Sequence, residues 1–242
     1  MSKPAEQRWD QFGTDYDQPV FVGKPKVYII ASSGRSGSHL LGNLLFQTGQ
    51  LGSPLEYLHP KHKLRWQKDL NQPDMRGTLE CLMARRSSAS GWFGIKAHWG
   101  QFSQAITQEP LLPWLDVQRY IRLSRTDRVA QAVSMEIARQ TGAWISWQDR
   151  KQEPVYDRDA IASSIQSLTQ EDEAWDAHFE QVGATPIRVT YENLTHNPHA
   201  TVASICQDLG VLAPQSAADM TAAPKKQGTT LNDDWVRRFR AE

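Results

Sequence analysis

The run Val27-Tyr-Ile-Ile-Ala31 is short, apolar and rich in β-branched and aromatic residues, and it breaks into Ser33-Gly-Arg-Ser-Gly-Ser38 before apolar residues return at a different spacing. A continuous apolar run of this kind fills a strand buried on both faces. Leu40, Leu41, Leu44, Leu45 and Thr48, stopping at Gly49, follow the spacing of a helix instead. The local order is therefore strand, tight glycine-rich loop, helix.

The same alternation recurs downstream. Trp92-Phe-Gly-Ile-Lys96, Arg119-Tyr-Ile-Arg-Leu123 and Pro186-Ile-Arg-Val-Thr-Tyr191 read as strands, each followed by a helical pattern. Val129, Ala130, Val133, Ile137 and Ala138 mark one helix, and Val202, Ile205, Cys206 and Leu209 before Gly210 mark a late one. Strands alternating with helices predict an α/β fold, a three-layer sandwich around a central parallel sheet, with the ligand site beyond the carboxyl ends of the strands. There is no internal repeat or linker, so residues 24–242 read as one domain preceded by a polar arm at 1–23.

A Gly- and Ser-rich turn between strand and helix presents backbone N–H groups beside the positive end of the helix dipole, which is an anion site. Gly34 and Gly37 let the backbone approach closely, Arg35 adds a planar set of charged donors, and Ser36 and Ser38 add hydroxyls. An ordinary strand-to-helix turn with Ser38 as N-cap and a solvated Arg35 fits the same residues. The nucleotide-triphosphatase loop GxxxxGK[ST] does not fit: the glycines stand too close together and no Lys precedes the Ser. The strand ending Arg-Leu-Ser-Arg125 also lacks a terminal Asp to hold magnesium.

Charge and cysteine content narrow the partners. Lys+Arg and Asp+Glu number 27 each, so no broad electropositive field is available and nucleic acid is not an expected partner. Cys81 and Cys206 are far apart and lack metal-ligand spacing, which fits a reducing cytoplasm. No apolar run reaches the ~18 residues that span a bilayer, so a soluble cytoplasmic protein without a membrane span is expected.

Taken together, these segments resemble the sulfotransferases that use 3′-phosphoadenosine 5′-phosphosulfate, and among them the Stf0-type carbohydrate sulfotransferases. Ser33-Gly-Arg-Ser-Gly-Ser38 is similar to that family's 5′-phosphosulfate loop, with Arg35 as its basic residue; Gly34 stands where proline is usual and His39 where Ser or Thr is common. Leu123-Ser-Arg-Thr-Asp-Arg-Val-Ala-Gln-Ala-Val-Ser134 resembles the 3′-phosphate segment, which assigns that contact to Arg125 and Ser134, and its continuation through Arg139-Gln-Thr-Gly-Ala-Trp144 looks specifically Stf0-like. Gly52-Ser-Pro-Leu-Glu-Tyr-Leu-His-Pro60 resembles the segment carrying an acceptor-side glutamate, here Glu56. Tyr191-Glu-Asn-Leu194 with Asn197-Pro198 and Gly210 looks like another family segment. Lys225-Lys-Gln-Gly228 to Asp234-Trp235 loosely echoes the basic loop and Asp-Trp pair that close over the nucleotide.

The resemblance spans residues 27 to 235 and implies a P-loop-NTPase-like sulfotransferase fold. It implies the phosphosulfate nucleotide as co-substrate with no metal required, held by Ser33, Gly34, Arg35, Ser36, Gly37, Ser38, His39, Arg125 and Ser134. It implies Arg35 as stabiliser of the departing phosphate oxygen and Glu56 as base toward a carbohydrate or glycolipid hydroxyl. His59, His98 and His39 are rival bases, Lys96 is a further residue able to face the site, and Trp99, Trp144 and Trp147 are candidate sugar platforms. The resemblance allows a homodimer. Two other readings stay open: a magnesium-dependent nucleotide kinase-like phosphotransferase, and a catalytically silent nucleotide-binding module.

Overall fold

A computed structural model describes residues 10–108, 111–144, 148–215 and 230–242. Its centre is a four-stranded sheet of order β2-β1-β3-β4, formed by β1 (Lys26–Ser32), β2 (Trp92–His98), β3 (Val117–Ser124) and β4 (Ile187–Thr190). Every pairing is parallel, with Ile29 opposite Ile95 on one side and Tyr120 on the other. Parallel neighbours require crossovers, and helices supply them.

β1 is the strand around which the layers assemble. Val27, Ile29 and Ala31 face a cluster that includes Trp66 of α2 (Pro60–Asp69), Leu79 and Leu82 of α3 (Met75–Arg86) and Phe102 of α4 (Trp99–Gln108). Tyr28 and Ile30 face the opposite cluster, with Leu41, Leu44 and Leu45 of α1 (Ser38–Gln47) and Val202, Ile205 and Cys206 of α9 (Pro198–Asp208). Both faces of the strand are dry, which is why its sequence runs apolar without alternation. The short α5 (Leu111–Leu115) joins the first layer through Leu111 and Leu115.

α6 (Arg128–Thr141) follows β3, and α7 (Arg158–Gln181) comes next in the chain. They pack through Ala132, Val133, Ile137, Ile161 and Leu168 against Trp235 of the last helix, α10 (Thr230–Ala241). α7 also reaches the sheet: Trp175 Nε1 donates to the Ser32 carbonyl at 3.0 Å, satisfying the last backbone acceptor of β1 where the loop begins. Trp175 lies within an aromatic cluster with Phe102, Trp99 and Phe179.

Three sequence expectations are adjusted. The fourth predicted strand ends at Thr190, not Tyr191, because Thr190 accepts a hydrogen bond from Asn193 N and starts α8 (Tyr191–His196). The second and third predicted strands run on to His98 and Ser124. The α1 N-cap is Gly37 rather than Ser38, with a φ of 90° that glycine adopts without strain.

The N-terminal arm from residue 10 onward is tied to the domain. Arg86, 1% exposed, donates to the carbonyls of Gln11 and Gly13, both at 2.8 Å, and to Asp17 Oδ1 at 3.1 Å. Tyr16 enters the core beside Phe46. Among the described residues no helix is long and apolar enough to cross a membrane.

Candidate active site

The loop between β1 and α1 is held from all sides. Ser33 and Ser36 are fully buried, and Ser36 Oγ donates to the Ser33 carbonyl at 2.8 Å, closing the turn. Arg35 sits at φ 60°, a left-handed conformation unusual for a side-chain-bearing residue, so the loop is a built feature. A Cβ on Gly37 would come within 2.6 Å of the Tyr191 ring, and one on Gly34 within 2.2 Å of Met135 Cε. A side chain at position 34 would require the terminal methyl of Met135 to move.

Gly37 has no capping side chain, and the first α1 backbone bond runs from Leu41 N to Gly37 O at 3.0 Å. The N–H groups of Ser38, His39 and Leu40 are therefore outside the helical ladder, at the positive end of α1 and next to the loop. Such a helix start offers the geometry that an anion site needs.

Arg35, Arg125 and Ser134 come together there, although 99 positions separate the outermost pair. Arg35 Nε donates to Ser134 Oγ at 2.9 Å, its Nη1 to the Trp144 carbonyl at 2.6 Å, and Arg125 Nη1 to the Arg35 carbonyl at 3.4 Å. Arg125 stacks over Tyr191, 4.5 Å from the ring centre, and its buried Nε has no hydrogen-bond partner. Burial, with Arg125 nearby, pushes the Arg35 guanidinium down to about 10; burial also lowers Arg125. Both remain cations at neutral pH. Two partly desolvated cations, an orphaned donor and an uncapped helix start fit a phosphate-rich ligand.

Glu56 belongs to a different set of contacts, with Lys96 and Gln101. It follows Leu55, which bridges to Ile95 of β2 and aligns the segment with the strand. Lys96 Nζ is 2.7 Å from Glu56 Oε1, and Gln101 Nε2 donates to Oε2 at 3.0 Å. Burial pushes the Glu56 carboxyl up, but Lys96, His98 and Gln101 more than reverse this and hold it well below the usual carboxylate range. Lys96 itself is 5% exposed, so the pair is shielded from water.

The histidines differ in what they are free to do. His59 caps α2, its Nδ1 accepting from Lys61 N at 3.2 Å, and stacks on His62. His39 lines a small cavity with Tyr16, Asn43 and Lys96; burial, aided by Lys96, pushes it down to about 4. His98 ends β2 with Nδ1 3.1 Å from Ser32 Oγ, and burial lowers it too. His39 and His98 are thus neutral at pH 7. Trp99 packs edge-on against Trp175, Trp144 is 45% exposed beside Arg35, and Trp147 lies outside the described residues, as does Lys225-Lys-Gln-Gly228.

Sequence reasoning missed Gln131, Met135 and Gln101. Gln131 and Met135 share a helical face with Ser134, and a glutamine inside an apolar-periodic helix was the available signal.

Comparison with known proteins follows the same segments. A family model described as Stf0 sulphotransferase matches residues 27–106 and 114–242. The chain is 29% identical to trehalose 2-sulfotransferase of Mycobacterium tuberculosis (strain ATCC 35801 / TMC 107 / Erdman), covering 89% of this chain and 94% of that protein. It is 27% identical to the trehalose 2-sulfotransferase of Mycolicibacterium smegmatis, covering 90% and 96%. Among solved structures, the sulfotransferase domain from the curacin biosynthetic pathway aligns at TM-score 0.48 and 17% identity, covering 86% of this chain and 82% of that one.

Proposed function

The chain belongs to the Stf0 sulphotransferase family, and on that premise we propose that it transfers a sulfuryl group from 3′-phosphoadenosine 5′-phosphosulfate to a hydroxyl of a carbohydrate or glycolipid. The observation that carries the donor half is the convergence of Arg35, Arg125 and Ser134 at the uncapped start of α1. Arg125 and Ser134 take the 3′-phosphate, while Arg35 and the first N–H groups of α1 take the 5′ end. Because Arg35 holds Ser134 Oγ, nucleotide binding exchanges that bond for phosphate contacts.

In the transfer, the acceptor oxygen bonds to sulfur as the bond from sulfur to the 5′-phosphate oxygen breaks, leaving adenosine 3′,5′-bisphosphate. Charge grows on the departing oxygen, and donors preorganised toward such an atom are typically worth about 3–4 kcal/mol each. The acceptor proton passes to Glu56. Lys96 and Gln101 orient the carboxylate and keep it ionised, so it is ready as acceptor at neutral pH, and takes the proton as the new bond forms. The low proton affinity that Lys96 imposes favours transfer late in the reaction.

Both curated relatives are named for trehalose, so trehalose is the first acceptor to try. The test is incubation of the purified chain with the phosphosulfate nucleotide and a panel of trehalose, other glycans and glycolipids, with mass spectrometry of products. A sulfated product together with released adenosine 3′,5′-bisphosphate is expected. Release of the bisphosphate with no acceptor in the panel sulfated would contradict the carbohydrate half, and no turnover of the nucleotide would contradict the whole reading.

A further inference from the structure

Gln131 on α6 has no solvent exposure, yet every polar atom of its side chain is engaged. Nε2 donates to the Gly34 carbonyl at 2.7 Å and to Ser33 Oγ at 3.1 Å. Oε1 accepts from Arg128 Nη1 at 2.8 Å, Arg128 Nη2 pairs with Asp172 of α7, and the second Asp172 oxygen lies 2.7 Å from Arg122 Nη2 on β3. The amide is thereby fixed by a chain of ionic contacts, buried at Arg122 and part-buried at Asp172 and Arg128, that begins in the sheet and ends at the loop.

A loop binds an anion only if its N–H groups face the ligand and its carbonyls do not. In a trans peptide the C=O and the following N–H point in opposite directions. With the Gly34 carbonyl turned onto Gln131, the Arg35 N–H is turned away from α6, and Arg35 is held in its φ 60° conformation. Met135, one turn further along the same face, fills the space beside Gly34. The amide offers two donors and an acceptor from one planar group, and all three are used here; a carboxylate of the same shape offers no donor when ionised.

We infer that Gln131 is a positioning residue for the 5′ end of the donor, acting through the Ser33-Gly34 backbone and not by touching the nucleotide. The inference rests on the donor reading above and deepens it. Gln131 sets which loop atoms meet the 5′-phosphate, whereas its side-chain bonds go to Ser33, Gly34 and Arg128 and not to Arg125 or Ser134, which take the 3′-phosphate.

Calorimetric titration of the full chain with adenosine 3′,5′-bisphosphate and with adenosine 3′-monophosphate separates the two ends. Wild-type protein should bind the bisphosphate more tightly. Gln131→Leu should narrow that preference by about tenfold, the order of one lost hydrogen bond to a buried carbonyl, and leave the 3′-monophosphate affinity unchanged. Gln131→Glu, isosteric and read in the same way, serves if the leucine variant does not fold. An unchanged preference in the variant that folds overturns the inference, and so does an equal loss for both nucleotides, which is what general damage to α6 would produce. Wild-type protein that binds neither nucleotide overturns the donor reading and this inference with it, and that failure is visible before any variant is made.

Discussion

Arg35 Nε and Ser134 Oγ are 2.9 Å apart, so the basic residue of the loop after β1 and a hydroxyl from the middle of α6 form one hydrogen bond. A half-buried guanidinium needs acceptors, and here a serine hydroxyl and the Trp144 carbonyl supply them. Neither is a carboxylate. An ion pair in that place would compete with an anionic ligand, whereas these neutral acceptors hold Arg35 in position and release it readily.

Arg35→Ala and Arg125→Ala should each weaken binding of adenosine 3′,5′-bisphosphate by about 1.5–3 kcal/mol, the usual value of a hydrogen bond to a charged group. Arg125→Lys should recover only part of the loss, because a point charge replaces the planar fork that now stacks on Tyr191. Titration calorimetry on the three variants checks this; full recovery in the lysine variant would show that charge alone matters.

Glu56→Gln should leave bisphosphate affinity unchanged and lower turnover by about 10²–10⁴-fold, the range for loss of a general base. His98→Ala is the comparison. If the histidine variant loses more turnover than the glutamine variant, His98 is the base and Glu56 only orients Lys96.

The pH profile separates the same two groups. Glu56 is held below the usual carboxylate range, so it stays ionised throughout the neutral and mildly acidic region. Turnover should therefore hold as pH falls through about 6.5, the unperturbed histidine value. Lys96→Met removes the main opposing charge from a buried carboxyl, and the acid limb should then move up toward neutrality. A wild-type limb near 6.5 that Lys96→Met does not shift would contradict this assignment.

The same depressed carboxyl stabilises the fold. A group whose folded pKa lies below its unfolded value contributes stability that is present above the unfolded pKa, about 4.3 for Glu, and is lost as pH falls toward the folded value. Acid unfolding of wild type and Glu56→Gln should therefore converge below about pH 4, with the wild type more sensitive to acid; parallel curves would remove Glu56 from the linkage.

Trp175→Phe keeps a large apolar ring in the aromatic cluster but removes the only donor from α7 to the Ser32 carbonyl. The Ser32 carbonyl then keeps only its 3.4 Å approach to His98 Nδ1, and loss of the indole hydrogen bond should cost about 0.5–1.5 kcal/mol in urea unfolding. A cost below about 0.5 kcal/mol would mean the end of β1 is held by packing alone.

How much of this was legible in the sequence depended on what each helix buries. β1, the loop and α1 were readable because the strand is dry on both faces and glycine marks the turn and the helix end. α6 was readable from its apolar stripe, with Asp127 capping one end and Gly142 at φ 71° closing the other. α7, the longest helix at 24 residues, was not, because its inward positions include Ser164 and His178, and its Asp172 pairs with arginines of β3 and α6; these dilute the apolar period. α2 likewise buries only Trp66 among its side chains, so its period carried little signal. At the site, Arg35, Arg125, Ser134 and Glu56 were named from motif resemblance. Lys96 was named only as able to face the site; its pairing with Glu56, and Gln101 altogether, had no local pattern, since the two reach the carboxylate from β2 and α4. Tertiary partners of that sort are fixed by strand register, here Leu55 beside Ile95, and not by spacing along the chain.

The central claim is that the loop after β1, with Arg125 and Ser134, holds a 3′,5′-bisphosphorylated nucleoside. Thermal unfolding of the wild type with adenosine 3′,5′-bisphosphate, without added metal, tests it most directly, with ADP, ATP plus magnesium, and Arg125→Ala as comparisons. A ligand that binds only the folded state adds about 2.7 kcal/mol at 100 times its dissociation constant, enough to see as a shift in Tm. A shift with the bisphosphate that disappears in Arg125→Ala is expected. A shift with ATP and magnesium alone would contradict it.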